Sequence, residues 1–343
     1  MIQSITYLTG ISTEKNQLDA FLDQWFSPGK TVTIRTSGST GTPKLIELSK
    51  DHMRISARAT LDYFSIQKGG NALLCLSLTT IGGVMMVVRS IERSMNLIVA
   101  PVQSQPITDL NNQLVIDLAA MVPTQVHQLV AEKPEALLSI RTLLVGGAPV
   151  TTQLIEKLNS INYTAYQTFG MTETISHVAV RKIGKETDDY YEALPHIQFS
   201  ENDHQLVIHY PSISTNPIQT KEHIELIDEY HFNWLGRTDL VINSGGKKII
   251  PEAIEEKLGR FISKPFIVAG IPDDYWGEMV VLVVATRNDP KLDKSQLTQV
   301  GLQGHELPKR VYYINELILL ESGKVDRRST LNQLKRDEYT ELL

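Results

Sequence analysis

Residues Thr36–Lys44 read TSGSTGTPK. Two glycines, three threonines, two serines, one proline and one lysine fill the nine positions, so the stretch holds nothing that packs a core. It can surround an anion. Gly38 and Gly41 open backbone angles closed to other residues, and successive N–H groups can then converge on phosphate oxygens. The hydroxyls of Thr36, Ser37, Ser39 and Thr40 add donors, and Lys44 adds a point charge. The order is not that of a Walker A loop, where a lysine directly follows a glycine and precedes a hydroxyl residue. Here Pro43 precedes Lys44 and Leu45 follows it. Alternating VTIRT ahead and LIEL behind predict a strand–loop–strand setting. Read alone, a stretch of this composition is equally an ordinary polar surface loop.

On either side of this loop the texture is α/β. Leu18, Phe21, Leu22, Trp25 and Phe26 fall at helical spacing, with Thr13 as a plausible cap. A helix near residues 49–64 follows the loop, with Ser49 as its N-cap. Short apolar runs (72–76, 97–100, 114–118, 142–145, 163–168) then alternate with helical stretches (82–94, 123–132, 151–159). Such alternation predicts a sheet covered by helices on its faces. From about His177 to Trp234 the pattern is mainly β, in HVAVRKI, QLVIHY, HIELI and HFNWL. A third texture begins near Asp239 and suits a small α+β domain of roughly 100 residues.

Composition bounds the function. The chain has 343 residues, 42% hydrophobic, with a net charge of −6. That balance does not suggest nucleic-acid binding. No apolar run approaches the length of a membrane span. The single cysteine, Cys75, reads as a buried filler in a reducing compartment. The start MIQSITYLTG lacks the basic and apolar regions of a signal peptide, so the cytoplasm is the expected location.

Four further stretches carry chemistry. Gly146-Gly147-Ala148 follows the strand-like TLLVG, where small residues let a flat ring approach the backbone; a simple turn is the plainer reading. YQTFGMTET (166–174) combines an aromatic, a glycine, a threonine and Glu173, whose carboxylate suits a hard cation. LGRTDLVINSGG (235–246) joins charged residues to a Gly-Gly loop. ESGKVDRR (321–328) places Lys324 in a polar loop.

All five stretches, in this order, resemble the adenylate-forming superfamily of acyl-CoA synthetases, adenylation domains and luciferases. The resemblance runs from Thr36 to Lys324. It implies an α/β fold: a large domain over 1–236 with 177–236 its β-rich part, a hinge at 237–240 centred on Asp239, and a small mobile α+β domain over 241–343. It implies ATP, Mg²⁺ and CoA. Thr36–Lys44 would hold the β- and γ-phosphates, Gly146, Gly147, Ala148, Phe169 and Gly170 the adenine, Thr172 the α-phosphate and Glu173 the metal. Arg237 would meet the ribose or phosphates. Glu222, where the family carries an aspartate, would grip the ribose. Lys324 would enter the site for adenylation, with Ser244, Gly245 and Gly246 along the CoA tunnel.

The early position of the loop, with LSLTTIGGVMMVVRSIERSMNLIVAP and AAMVPTQV, resembles the o-succinylbenzoate–CoA ligases of menaquinone biosynthesis. On that resemblance Arg89 would hold a second carboxylate, Gly82 and Gly83 would leave room for the ring, and Thr80 and Thr124 would line the site. Thr79-Thr80 stands where that family usually has Phe-His, which keeps two alternatives open: a CoA ligase for another aromatic or acyl acid, and a non-catalytic nucleotide-binding relative.

Overall fold

The structure, a computed structural model, describes residues 1–36, 44–107, 114–286, 297, 299–320, 325–335 and 338–341. Ser37, Gly38, Ser39, Thr40, Gly41 and Lys324 lie outside the described residues. Strands Thr31–Thr36 and Lys44–Ser49 flank the first of these gaps and pair antiparallel, with Thr36 opposite Lys44. The strand–loop–strand expectation holds.

A 12-stranded sheet organises most of the chain. Its first half runs Ser4–Tyr7, Asn96–Val99, Asn71–Leu74, Leu118–Met121, Leu143–Val145 and Thr164–Gly170, all parallel. Its second half runs His177–Gly184, Tyr191–Ala193, His231–Arg237, Ile218–Leu226, Gln205–His209 and Gln198–Asn202, all antiparallel. The β-rich section is therefore continuous with the α/β sheet. Side-chain alternation sets the two faces. Leu97, Val99, Leu118 and Ala120 enter one core with helices Ser12–Phe26, Lys50–Tyr63 and Ile81–Glu92. Ile98, Ala100, Ala119 and Met121 enter the other, with helices Pro123–Glu132 and Thr152–Ser160. Parallel strands buried on both faces need such two-sided cover.

Several local expectations shift. Ser49 does cap its helix, accepting from the His52 N–H at 3.4 Å. Thr13 does not cap the first helix, which begins at Ser12 with no side-chain cap. The strand expected over 114–118 lies at Leu118–Met121, preceded by a single bridge at Ile116. Cys75 is buried, and burial pushes its thiol up to about 12.

Beyond Arg237 the chain leaves the large sheet through the short turn Thr238–Leu240 and enters a second, six-stranded sheet at Ile242–Ser244. Helix Pro251–Leu258 packs on it with Ile254 and Leu258 fully buried. Among the described residues no helix is long and apolar enough to cross a membrane.

Candidate active site

Parallel strands gather their carboxyl ends on one rim, the usual place for ligands in open α/β sheets. Thr80 follows Asn71–Leu74, Thr124 follows Leu118–Met121, Gly146–Ala148 follows Leu143–Val145, and Thr172 follows Thr164–Gly170. Four separate sequence picks are thus brought to one edge. The last strand of the four is also where parallel pairing gives way to antiparallel.

Several of these residues also serve the fold itself. Thr80 is spent on its helix: its hydroxyl donates to Ser77 O at 2.8 Å and accepts from Gly83 N–H at 3.4 Å. A Cβ on Gly83 would stand 2.3 Å from Ser77 O, so only glycine fits against the chain's own turn here. At Gly82 the nearest neighbour of an added Cβ is Leu76 Cδ1, at 3.2 Å. The space beside Gly146 is taken by the Thr168 hydroxyl, 2.2 Å from where a Cβ would lie. Gly147 and Thr124 are exposed, and Ala148 is half-buried. Gln125, which sequence reasoning missed, is buried and ties the rim together. Its amide donates to Cys75 O at 3.0 Å and Gln103 O at 2.9 Å, and its carbonyl accepts from Val122 N–H at 3.1 Å.

The FGMTET segment makes the sharpest turn. A Cβ on Gly170 would meet His177 Cα at 2.4 Å, so only glycine lets the next strand double back this closely. Phe169 is half-buried against Tyr191 and Phe232. Thr172, Glu173 and Thr174 form a single 3₁₀ turn, with Glu173 exposed and the Thr174 hydroxyl donating to Ser176 O at 2.7 Å and accepting from Met171 N–H at 3.1 Å. Ile175 follows at φ 69°, a position that a β-branched residue rarely adopts. Across this position the chain passes inward: Glu173 is exposed, Ser176 half-buried and His177 buried.

Inward they meet Arg89. This residue is 2% exposed on helix Ile81–Glu92. Its Nη2 donates to Ser176 Oγ at 3.1 Å and lies 3.3 Å from His177 Nδ1. Among the described residues its Nη1 finds only Met86 Sδ, at 3.8 Å, and its Nε is buried without a partner. Burial lowers the guanidinium to about 9, still charged at neutral pH. No carboxylate among the described residues pairs with it.

At the junction of the two sheets the charges are balanced differently. Glu222 and Arg237 are directly opposite on paired strands. Glu222 Oε1 meets Arg237 Nη1 at 2.7 Å, and Oε2 accepts from Trp234 Nε1 at 2.8 Å. Arg237 also grips Asp239 with Nε and Nη2, both at 2.9 Å. That hydrogen-bonded carboxylate, with Glu222, raises Arg237 above its ordinary value. Ser244 and Lys247 then close a two-residue hairpin whose central Gly245 and Gly246 have φ of 56° and 78°, the left-handed angles such a turn demands. Beneath Gly236 lies Glu252, its Oε2 buried with no partner among the described residues. Burial pushes this carboxyl up to about 7.

No group of three or more His, Cys, Asp or Glu that could hold a metal occurs among the described residues. One exposed carboxylate, Glu173, fits a Mg²⁺ whose remaining ligands are phosphate and water oxygens.

Residues 12–199 match the AMP-binding enzyme family, more than half of the chain, and the chain belongs to that family. Its relatives are more particular. The 2-succinylbenzoate–CoA ligase of Listeria monocytogenes serotype 4b (strain F2365) is 26% identical, over 96% of this chain and 75% of the ligase. That of Bacillus cereus (strain Q1) is 26% identical over 92% and 73%. Among solved structures, an acyl-CoA synthetase (AMP-forming)/AMP-acid ligase II-like protein from Dyadobacter fermentans is 30% identical, covers 93% of this chain and 94% of its own, and superposes with a TM-score of 0.62. The o-succinylbenzoate CoA synthetase of Bacillus subtilis, in complex with the acyl-adenylate OSB-AMP, has a TM-score of 0.74 at 22% identity, covering 90% and 70%, which speaks for the fold. The α/β expectation and the superfamily resemblance are borne out.

Proposed function

We propose that the protein is an AMP-forming acid–thiol ligase that converts o-succinylbenzoate to its CoA thioester for menaquinone biosynthesis. Its 2-succinylbenzoate–CoA ligase relatives support the reading, and the buried Arg89 without a carboxylate partner carries it. A buried cation with spare N–H groups is costly unless an anion completes it. The substrate has two carboxylates: one is activated, and the other, on the aromatic ring, completes Arg89.

The reaction joins the first carboxylate to the α-phosphorus of ATP with loss of pyrophosphate, then transfers the acyl group to the CoA sulfur with loss of AMP. Positioning and charge stabilisation suffice, since adenylation itself supplies the leaving group. Thr36–Lys44 holds the departing phosphates, and Gly146–Ala148, Phe169 and Gly170 border the adenine. Thr172 bonds the α-phosphate, and Glu173 binds the Mg²⁺ carried by ATP. Arg237 and Glu222 meet the nucleotide as an ion pair, and Thr124 lines the acid's entrance. Lys324 offsets charge between carboxylate and phosphate in the first step. Rotation about 237–240 then brings residues 241–343, with Ser244–Gly246, to CoA. The compartment is one that supplies ATP and CoA, the cytoplasm; neither nucleic acid nor a membrane is a partner.

A pyrophosphate-release assay over a panel of acids tests this. Release with o-succinylbenzoate, followed by thioester formation once CoA is added, is expected. Release with benzoate or fatty acids but not with o-succinylbenzoate would contradict the substrate.

A further inference from the structure

Arg89 does not hold its own position. An arginine only donates, so the His177 Nδ1 lying 3.3 Å from its Nη2 must be unprotonated and accepting. The imidazole proton is therefore on Nε2, 3.2 Å from Thr60 Oγ1. Thr60 directs its own hydrogen to Ser56 O at 3.3 Å, which leaves its oxygen free to accept from His177. The donors run one way: Arg89 to His177 to Thr60 to a main-chain carbonyl. The three side chains come from three elements, helices Lys50–Tyr63 and Ile81–Glu92 and strand His177–Gly184. His177 and Thr60 are buried, so water does not compete for these bonds. Burial, and then Arg89's charge, hold His177 well below its ordinary value, in keeping with a neutral ring.

We propose that His177, locked in its Nε2–H tautomer by Thr60, is a positioning residue that orients Arg89 for the second carboxylate of the acid. The Nη1 and Nε groups, which lack an oxygen or nitrogen acceptor among the described residues, are then left for that carboxylate. This inference rests on the substrate reading above. A neutral histidine serves here where a carboxylate in its place would not. A carboxylate would neutralise the guanidinium internally and remove its pull on the substrate.

The test is steady-state kinetics of the full chain with ATP and o-succinylbenzoate. His177→Leu removes the acceptor and is expected to raise the KM for the acid about tenfold or more, with the KM for ATP unchanged. His177→Gln restores both bonds, its carbonyl accepting from Arg89 and its amide donating to Thr60, and should return the acid KM to within about threefold of wild type. Thr60→Val, nearly isosteric and so expected to fold, frees the tautomer and should raise the acid KM several-fold, with Thr60→Ser restoring it. An acid lacking the second carboxylate should show the same KM in all these proteins. Equal changes in both KM values for Leu and Gln, or no change with Leu and Val, would overturn the positioning role. Arg89→Ala separates the two claims. If it leaves the acid KM unchanged, the pocket reading fails; if it raises that KM while His177→Leu does not, only the positioning role fails.

Discussion

Arg237 and Arg89 carry the same charge in opposite surroundings. Arg237 sits at the junction of the two sheets, 40% exposed at its side chain, with Glu222 on one side and Asp239 on the other. Arg89 is sealed between a helix and the sheet and has a serine, a histidine and a thioether. The junction has acid to spare: Glu252, beside Gly236, keeps one oxygen without a partner. Arg89 has N–H groups to spare among the described residues. A folded chain that closes its own charge pairs gains local stability. One that leaves a buried charge open gives up stability and gains a binding site for the opposite charge. In that contrast Arg237 is paired within the junction, while Arg89 has the open N–H groups on which the proposed substrate reading rests.

The contrast is broken most directly at Arg89. Removing one partner from a buried ion pair costs about 3–5 kcal/mol, so Arg89→Ala should lower kcat/KM for o-succinylbenzoate at least about a hundredfold. Steady-state assays should find little change in the KM for ATP.

Glu252 sharpens the other side. Its carboxyl stands at about 7 in the folded protein against an ordinary 4.5. Between those values the folded protein binds the extra proton, so this group's contribution to stability is fully present below about pH 4.5 and is lost as pH rises towards 7. The loss is about 3 kcal/mol. Urea unfolding across that range should show a downward slope that Glu252→Gln reduces.

Arg237→Ala would leave Glu222 buried with only the Trp234 N–H. The expected loss is about 2 kcal/mol in urea unfolding, below that of a dry pair because Arg237 is partly solvated. The smallest effect has the opposite sign. Arg89→Leu, which abolishes activity towards the dicarboxylate, should stabilise the free protein by about 1 kcal/mol, since it removes a buried charge that no carboxylate among the described residues completes.

What the sequence disclosed follows from range. The strand–loop–strand around TSGSTGTPK, the Ser49 cap and the helix Pro123–Glu132 are written in neighbouring residues, and they were legible. Glu222 was legible only through the family resemblance, as a carboxylate where the family carries an aspartate; its contacts with Arg237 and Trp234 come from the strand pairing and gave no signal. What Thr80, Gly83 and Gly146 do within the fold was not legible, because a sequence does not show that Thr80 caps its own helix or that the Ser77 carbonyl and Thr168 hydroxyl stand where a Cβ would lie. His177 gave no local signal at all. On an alternating strand it reads as one more side chain, and its meaning comes from Arg89, 88 positions away. The order of the β-rich section was hidden for the same reason: His231–Arg237 joins the sheet through Tyr191–Ala193, a pairing that no short window contains.

The most direct test compares two acids in two proteins. Pyrophosphate release is measured with o-succinylbenzoate and with the same keto acid lacking the ring carboxylate, for the wild type and for Arg89→Ala. If Arg89 awaits the second carboxylate, the wild type prefers the dicarboxylate strongly and the variant loses that preference. An undiminished preference in Arg89→Ala would contradict the account.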